Sequence, residues 1–318
     1  MSIKRTKVRL AMKNTFTLIC SCLTALIIIC LLSACNKNEE GKNNSDSSTT
    51  STTSVTTTTT SQEEIVKKDP EVKPVSTVIN VNKSFKQKTF TANDGTTLPY
   101  RIFIPKDYDE SISYPVALFL HGAGERGNDN TSHLKNVVQK LFNDKSSPFY
   151  QCIVVCPQCP ANNQWVDTPW ANGNYRTSKI PVSNELTAAL ELLDSLLETY
   201  SINPDRQYVM GISMGGFGTW DLIMRNPDRF AAAIPICGGA DPLVAQKLIN
   251  MPIWTFHDST DPTVPVNGTR DMVSALEEKG AKYVTYTETA KYGHLVWDSA
   301  VDTDGLFEWL FAQRKTVD

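Results

Sequence analysis

Six short, mostly apolar runs constrain this chain more than any other feature: 115–120, 153–155, 208–210, 231–236, 253–256 and 284–286. Runs this short, without a polar residue at every second place, suit strands buried on both faces, as in a parallel sheet held between helices. Helical patterns lie between them. The clearest places Leu186, Leu190, Leu193, Leu197 and Tyr200 on one stripe, with Ser183 as N-cap. A second ends at Gly280 and a third, 303–314, closes the chain. Ahead of the first apolar run, 85–92 and 98–104 flank Asn93-Asp94-Gly95 and read as an antiparallel hairpin. The expected fold is therefore α/β, one domain with a mainly parallel central sheet, an N-terminal antiparallel hairpin and helices on both faces.

The first 34 residues are unlike the rest. Lys4, Arg5, Lys7, Arg9 and Lys13 come with no acidic residue, and a mostly apolar stretch then leads to Leu32-Ser33-Ala34-Cys35. The pattern reads as an export leader over 1–34 whose end resembles a bacterial lipobox, leaving Cys35 to carry lipid. An uncleaved anchor is the alternative, its apolar stretch of about 17 residues being at the short limit for a span. Either way the protein is expected on the outer side of a bacterial cell membrane. Loss of five positive groups takes the formal net charge from −3 to −8. With no basic patch, nucleic acid is not an expected partner, and lipid rather than charge would make the membrane contact. Residues 47–60 hold 13 Ser or Thr in 14 positions, too little apolar area to offset ordering. The expected organisation is a disordered tether over 35–80, reaching about 35 Å as a flexible coil, and a catalytic domain over 81–318.

Chemistry is expected at the carboxyl ends of the strands. Gly211-Ile212-Ser213-Met214-Gly215 lies between the 208–210 run and a helical segment reaching Asn226. A serine on such a strand-to-helix turn is presented with its hydroxyl exposed. It needs a base and a carboxylate to orient that base. The chain has four histidines. His121 belongs to the loop His121-Gly122-Ala123-Gly124-Glu125-Arg126-Gly127 and is expected to support backbone. His133 lies in a polar segment and is expected to be exposed. His257 could pair with Asp241. His294 follows the last run, and Asp261 the run before it, so the order Ser213, Asp261, His294 is the one expected for this architecture. Asp258 is the rival acid. The oxyanion donors are expected to be the N–H groups of Met214 and Ala123, with Gly122 as the rival to Ala123.

His121 to Gly127, Gly211-Ile212-Ser213-Met214-Gly215-Gly216 and Gly293-His294 together resemble the α/β-hydrolase superfamily. Within it they look like exported esterases related to polyhydroxybutyrate depolymerases and feruloyl or acetylxylan esterases, some of them catalogued as predicted peptidases. The resemblance covers about 85–316. It implies an α/β-hydrolase fold and a serine carboxylic-ester hydrolase acting through an acyl-enzyme on short-chain acyl or feruloyl esters, small or carried on plant polysaccharide. It implies no metal and no organic cofactor. Asp258 departs from the Gly that many relatives carry in a His-Gly-x-x-Asp stretch, which here is His257 to Asp261. Glu125 and Arg126 are candidates to bind substrate or to brace their loop, and Trp165 and Trp170 to border the pocket. Two other readings remain: a serine peptidase of the prolyl-oligopeptidase type, and a non-catalytic surface protein that binds polysaccharide.

Four cysteines follow Cys35: Cys152, Cys156, Cys159 and Cys237. The first three match an iron–sulfur spacing, but a strand through 152–156 would hold its ends roughly 13 Å apart, and export disfavours a cluster. Buried, apolar thiols are the expected state, with a disulfide as the alternative.

Overall fold

The computed structural model describes residues 67–315. Eight strands form one sheet: β1 (Lys86–Thr91), β2 (Thr97–Phe103), β3 (Tyr114–Leu120), β4 (Ile153–Pro157), β5 (Ile202–Ile212), β6 (Ala232–Ile236), β7 (Ile253–Asp258) and β8 (Val284–Thr289). Their spatial order is β1-β2-β4-β3-β5-β6-β7-β8. β1 and β2 pair antiparallel across the Asn93-Asp94-Gly95 turn, where Gly95 takes a positive φ of 89°. β2 is antiparallel to β4, and every pair from β4 onward is parallel. The expected hairpin and parallel sheet are both present.

All seven residues of β3 are buried, and their side chains alternate between two cores. Val116, Leu118 and Leu120 enter one cluster, Ala117 and Phe119 the other. Successive strand residues face opposite sides, so the unbroken apolar run arises because both sides are covered. On one side lie α2 (Asn184–Thr199), α3 (Met214–Arg225) and α4 (Asn267–Glu278), through Leu186, Phe217 and Met272. On the other, the single turn α1 (Val81–Ser84) joins α5 (Trp297–Ala300) and α6 (Leu306–Ala312), through Val81, Trp297 and Leu306. Each fully buried Leu, Ile or Phe contributes about 1.5–3 kcal/mol. Ser183 caps α2 as expected, its hydroxyl accepting the Leu186 N–H at 3.1 Å.

The leader, Cys35 and residues 35–66 lie outside the described residues. The remaining stretch of the expected tether, 67–80, is not loose. Ser113 donates to the Lys68 carbonyl at 2.9 Å, Asp69 pairs with Arg206 and Arg314, and Val75 and Ile79 pack on the second core. Its few apolar side chains and one carboxylate find non-local partners, which outweighs the polar composition around them.

Candidate active site

Ser213 follows β5 directly and α3 starts at the next residue. Its backbone sits at φ 53°, ψ −116°, a conformation a residue with a Cβ avoids unless its surroundings impose it. Two hydrogen bonds do so: the Ser213 N–H donates to the Ile236 carbonyl at 2.9 Å, and its carbonyl accepts from Phe217 N–H at 3.0 Å. The flanking glycines make the turn possible. A Cβ on Gly215 would lie 1.9 Å from the Leu120 carbonyl oxygen, and one on Gly211 would lie 2.4 Å from that of Gly215.

β8 runs into a loop whose short turn, Gly293–Leu295, carries His294. The His294 Nε2 is 2.8 Å from Ser213 Oγ, and its Nδ1 is 2.7 Å from Asp261 Oδ2. With Nδ1–H donating to the carboxylate, Nε2 is left to accept the serine proton. Asp261 comes from the loop after β7, and its Oδ1 accepts the N–H groups of Thr263 and Val264 at 2.8 and 3.0 Å. Burial pushes this carboxyl up. The donors His257, His294, Val264 and Thr263 outweigh that and hold it below the usual carboxylate range. All three residues predicted for the triad are thus brought together, each from the end of a different strand.

Asp258, the rival acid, does not reach His294. Its Oδ2 accepts from Thr289 Oγ1, Lys291 N–H and Tyr292 N–H at 2.6, 2.9 and 2.8 Å. It therefore ties the end of β7 to the loop that carries His294. Nor do His257 and Asp241 pair. Asp241 accepts from Arg176 and Thr177, while fully buried His257 meets Thr269 Oγ1 at 2.7 Å and the Val264 carbonyl at 3.1 Å. His257 Nε2 also lies 3.4 Å from Asp261 Oδ2, so the carboxylate stands between two imidazoles. Beyond a spacing of four residues, nothing in the residue order signals that contact.

Among the described residues, neither Ala123 nor Met214 donates its backbone N–H in a loop, cap or side-chain hydrogen bond. The Gly122 N–H, by contrast, is held by Glu125 Oε2 at 2.8 Å. Of the two loop candidates, Ala123 is the free donor. Glu125 is 4% exposed and its other oxygen accepts from Asn136 Nδ2 at 2.8 Å. It braces the loop from beneath and offers nothing to a substrate. Arg126 does not pair with Glu125 either. Its guanidinium donates to the carbonyls of Ala123 and Asn163 and lies 5.7 Å from the Trp170 ring.

Trp165 is fully buried, and its indole N–H donates to the His121 carbonyl at 3.0 Å. It shapes the loop from inside the core and does not line the pocket. Trp170, with Gln164, Pro169, Ala171 and Thr263, lines a shallow, open recess of about 490 Å³ beside the Asp261 loop, and none of Ser213, Asp261 and His294 lines it. His121 supports backbone, as expected, bonding the Gly122 carbonyl at 2.7 Å and the Cys159 N–H at 2.9 Å. Burial pushes its pKa down to about 4. His133 was expected at the surface but is fully buried, 6.0 Å from the His121 ring, and burial pushes it down to about 3. The turn that carries His133 packs against β4, and the polar residues that follow, Lys135 and Asn136, are the ones left exposed. Cys152, Cys156, Cys159 and Cys237 are buried free thiols.

The esterase family model matches residues 93–301. A solved thermostable esterase superposes with a TM-score of 0.66 at 36% identity, covering 74% of this chain and 64% of that one. A solved ferulic acid esterase gives 0.50 at 17% identity, over 71% of this chain and 98% of that one, a likeness of fold. Poly(3-hydroxyalkanoate) depolymerase C of Paucimonas lemoignei is 40% identical over 55 residues, 17% of this chain and 13% of its own length. Endo-1,4-beta-xylanase Y of Acetivibrio thermocellus is 25% identical over 170 residues, 48% of this chain and 14% of its own length. The chain thus spans about one seventh of these two curated relatives. With a family model covering about two thirds of its length, the chain belongs to the esterase family and carries the α/β-hydrolase fold.

Proposed function

We propose that this protein is a serine carboxylic-ester hydrolase working through an acyl-enzyme. The observation that carries the reading is the unbroken contact chain from Ser213 Oγ through His294 to Asp261. His294 Nε2 takes the Ser213 proton as Oγ bonds to the ester carbonyl carbon. The carbonyl electrons move to oxygen, where the Ala123 and Met214 N–H groups receive the charge; one such donor contributes about 3–4 kcal/mol to the transition state. Protonated His294, steadied by Asp261, gives its proton to the departing alkoxide as the C–O bond breaks. A water then loses a proton to His294 and attacks the acyl carbon. Collapse frees the acid, and the proton returns to Ser213 Oγ.

The Trp170 recess supports a flat acyl or sugar group as substrate, since an indole face offers a stacking surface. The names of the similar proteins, a ferulic acid esterase, a xylanase and a polyester depolymerase, point to short-chain or feruloyl esters of plant polysaccharide. We place the protein outside the cell, attached through lipid on Cys35. Its leader and lipobox-like ending support this. Labelled fatty acid that enters the wild type but not a Cys35→Ala variant would bear it out.

The test of the catalytic reading is a panel of acetyl, butyryl and feruloyl esters beside peptide amides. Ester turnover is expected, lost at least a thousandfold in Ser213→Ala with the circular dichroism spectrum unchanged. Amide turnover without ester turnover would favour the peptidase reading. Polysaccharide binding with neither would favour the non-catalytic one.

A further inference from the structure

Directly below the triad stands a side chain for which ester hydrolysis has no use. Cys237 follows β6, one strand over from Ser213, in a strained backbone conformation with φ 41°. It is locked there by its N–H, which donates to the Phe256 carbonyl at 2.8 Å. The thiol is fully buried and points at the loop of His294, its Sγ 3.9 Å from the His294 carbonyl oxygen. The Cys237 sulfur, a ring nitrogen of His294 and a carboxylate oxygen of Asp261 all lie within 4.8 Å of one another. Among the described residues this is the one place where three such groups converge.

We propose that Cys237, Asp261 and His294 form a binding site for zinc or a similar thiophilic divalent cation such as cadmium, and that its occupancy switches hydrolysis off. The switch rests on the ester-hydrolase reading; the binding site does not. One sulfur, one nitrogen and one oxygen ligand, with water as the fourth, are a set that zinc accepts. Tetrahedral ligands at zinc distances stand roughly 3.3–3.8 Å apart. The sulfur therefore has to close by about 1 Å, and the pair now at 2.7 Å has to part by somewhat less than that. The His294 loop is the part able to give, with Tyr292 and Leu295 projecting into solvent on either side. Burial, and after it the Asp261 charge, keeps the thiol protonated.

The inhibition follows from proton positions. The cation takes the His294 Nδ1, and the single ring proton moves to Nε2. The ring then faces Ser213 as a donor and cannot accept the hydroxyl proton. The thiol releases its proton to water as the sulfur–metal bond forms, one proton per cation bound.

Cobalt(II) and zinc titrations of the full-length protein test this. Cobalt should bind at one equivalent with a thiolate charge-transfer band that Cys237→Ala lacks. This readout is independent of activity, so a failed ester assay leaves it intact. Zinc should inhibit turnover reversibly, with chelator restoring the rate. The half-inhibiting concentration should rise at least tenfold in Cys237→Ala and in Cys237→Ser, each measured against its own metal-free rate; the serine variant keeps the side-chain size if the alanine variant fails to fold. Absence of a thiolate band in the wild type, or equal inhibition of wild type and both variants, would overturn the proposal.

Discussion

The buried carboxyl of Glu125 makes the stability of the whole domain depend on pH in a way that one substitution removes. Glu125 is 4% exposed. Burial pushes its pKa up to about 7 from 4.5, and the donors Gly122 and Asn136, with the Lys135 charge, offset only part of that. Between pH 4.5 and 7 the native state keeps a proton that the unfolded chain has lost. The native state then binds more protons, and stability falls as pH rises through this window. A shift of 2.5 units at 1.36 kcal/mol each is about 3 kcal/mol, reached in full above pH 7. Glu125→Gln keeps shape and polarity but cannot ionise. Whatever offset the new amide brings at pH 4.5, the stability of the variant minus that of the wild type should grow by about 3 kcal/mol by pH 8. Urea unfolding of both proteins at pH 4.5, 5.5, 6.5 and 8, with a shared m-value, measures the difference directly. All other titrating groups cancel in it. A difference that stays flat within about 0.5 kcal/mol across the range would refute the argument, and with it the placement of a buried carboxyl beneath the loop His121 to Gly127.

Three other substitutions probe separate parts of the site. Asp258→Asn replaces an acceptor that receives Lys291 and Tyr292 N–H and Thr289 Oγ1 with a group carrying its own donors. It should cost about 3 kcal/mol in thermal unfolding and lower kcat, because the loop holding His294 loosens. His257→Phe removes the second imidazole beside Asp261. It should lower kcat about tenfold with KM nearly unchanged, while His257→Gln, which retains a donor, should recover part of the loss; an unaltered kcat in the Phe variant would deny His257 any positioning role. Gly215→Ala places a methyl 1.9 Å from the Leu120 carbonyl oxygen, and soluble, active protein from that variant would contradict the tight turn at Ser213.

What could be read from the residue order was whatever the sheet imposes locally. A strand covered on both faces is apolar where it is covered, so β3, β6 and the 208–210 stretch of β5 announced themselves while the polar start of β5, Asn203 to Gln207, did not, and groups placed just after strand ends converge on one rim whatever the loops between them do. Ser213, Asp261 and His294 were legible for that reason. The choices that stayed open all depended on who hydrogen-bonds to whom across long separations. Asp258 and Asp261 differ by three positions, and what separates them is that Asp258 is already taken by amides from the β8 loop. Gly122 and Ala123 differ by one, and the side chain of Glu125 decides between them. Trp165 and His133 sit among Asn, Gln, Asp and Ser, yet both are fully buried, because their loops turn inward against His121, just past the end of β3, and local composition says nothing about which side of a loop faces the core. The same logic bears on Cys237. A lone cysteine ending an apolar run looks like core, and by burial it is core. Only the fold shows that the strand order β5-β6-β7-β8 sets its sulfur beside a carboxylate and an imidazole drawn from two loops further along the chain. A position can therefore satisfy the packing of the sheet and still stand within reach of the chemistry at its rim.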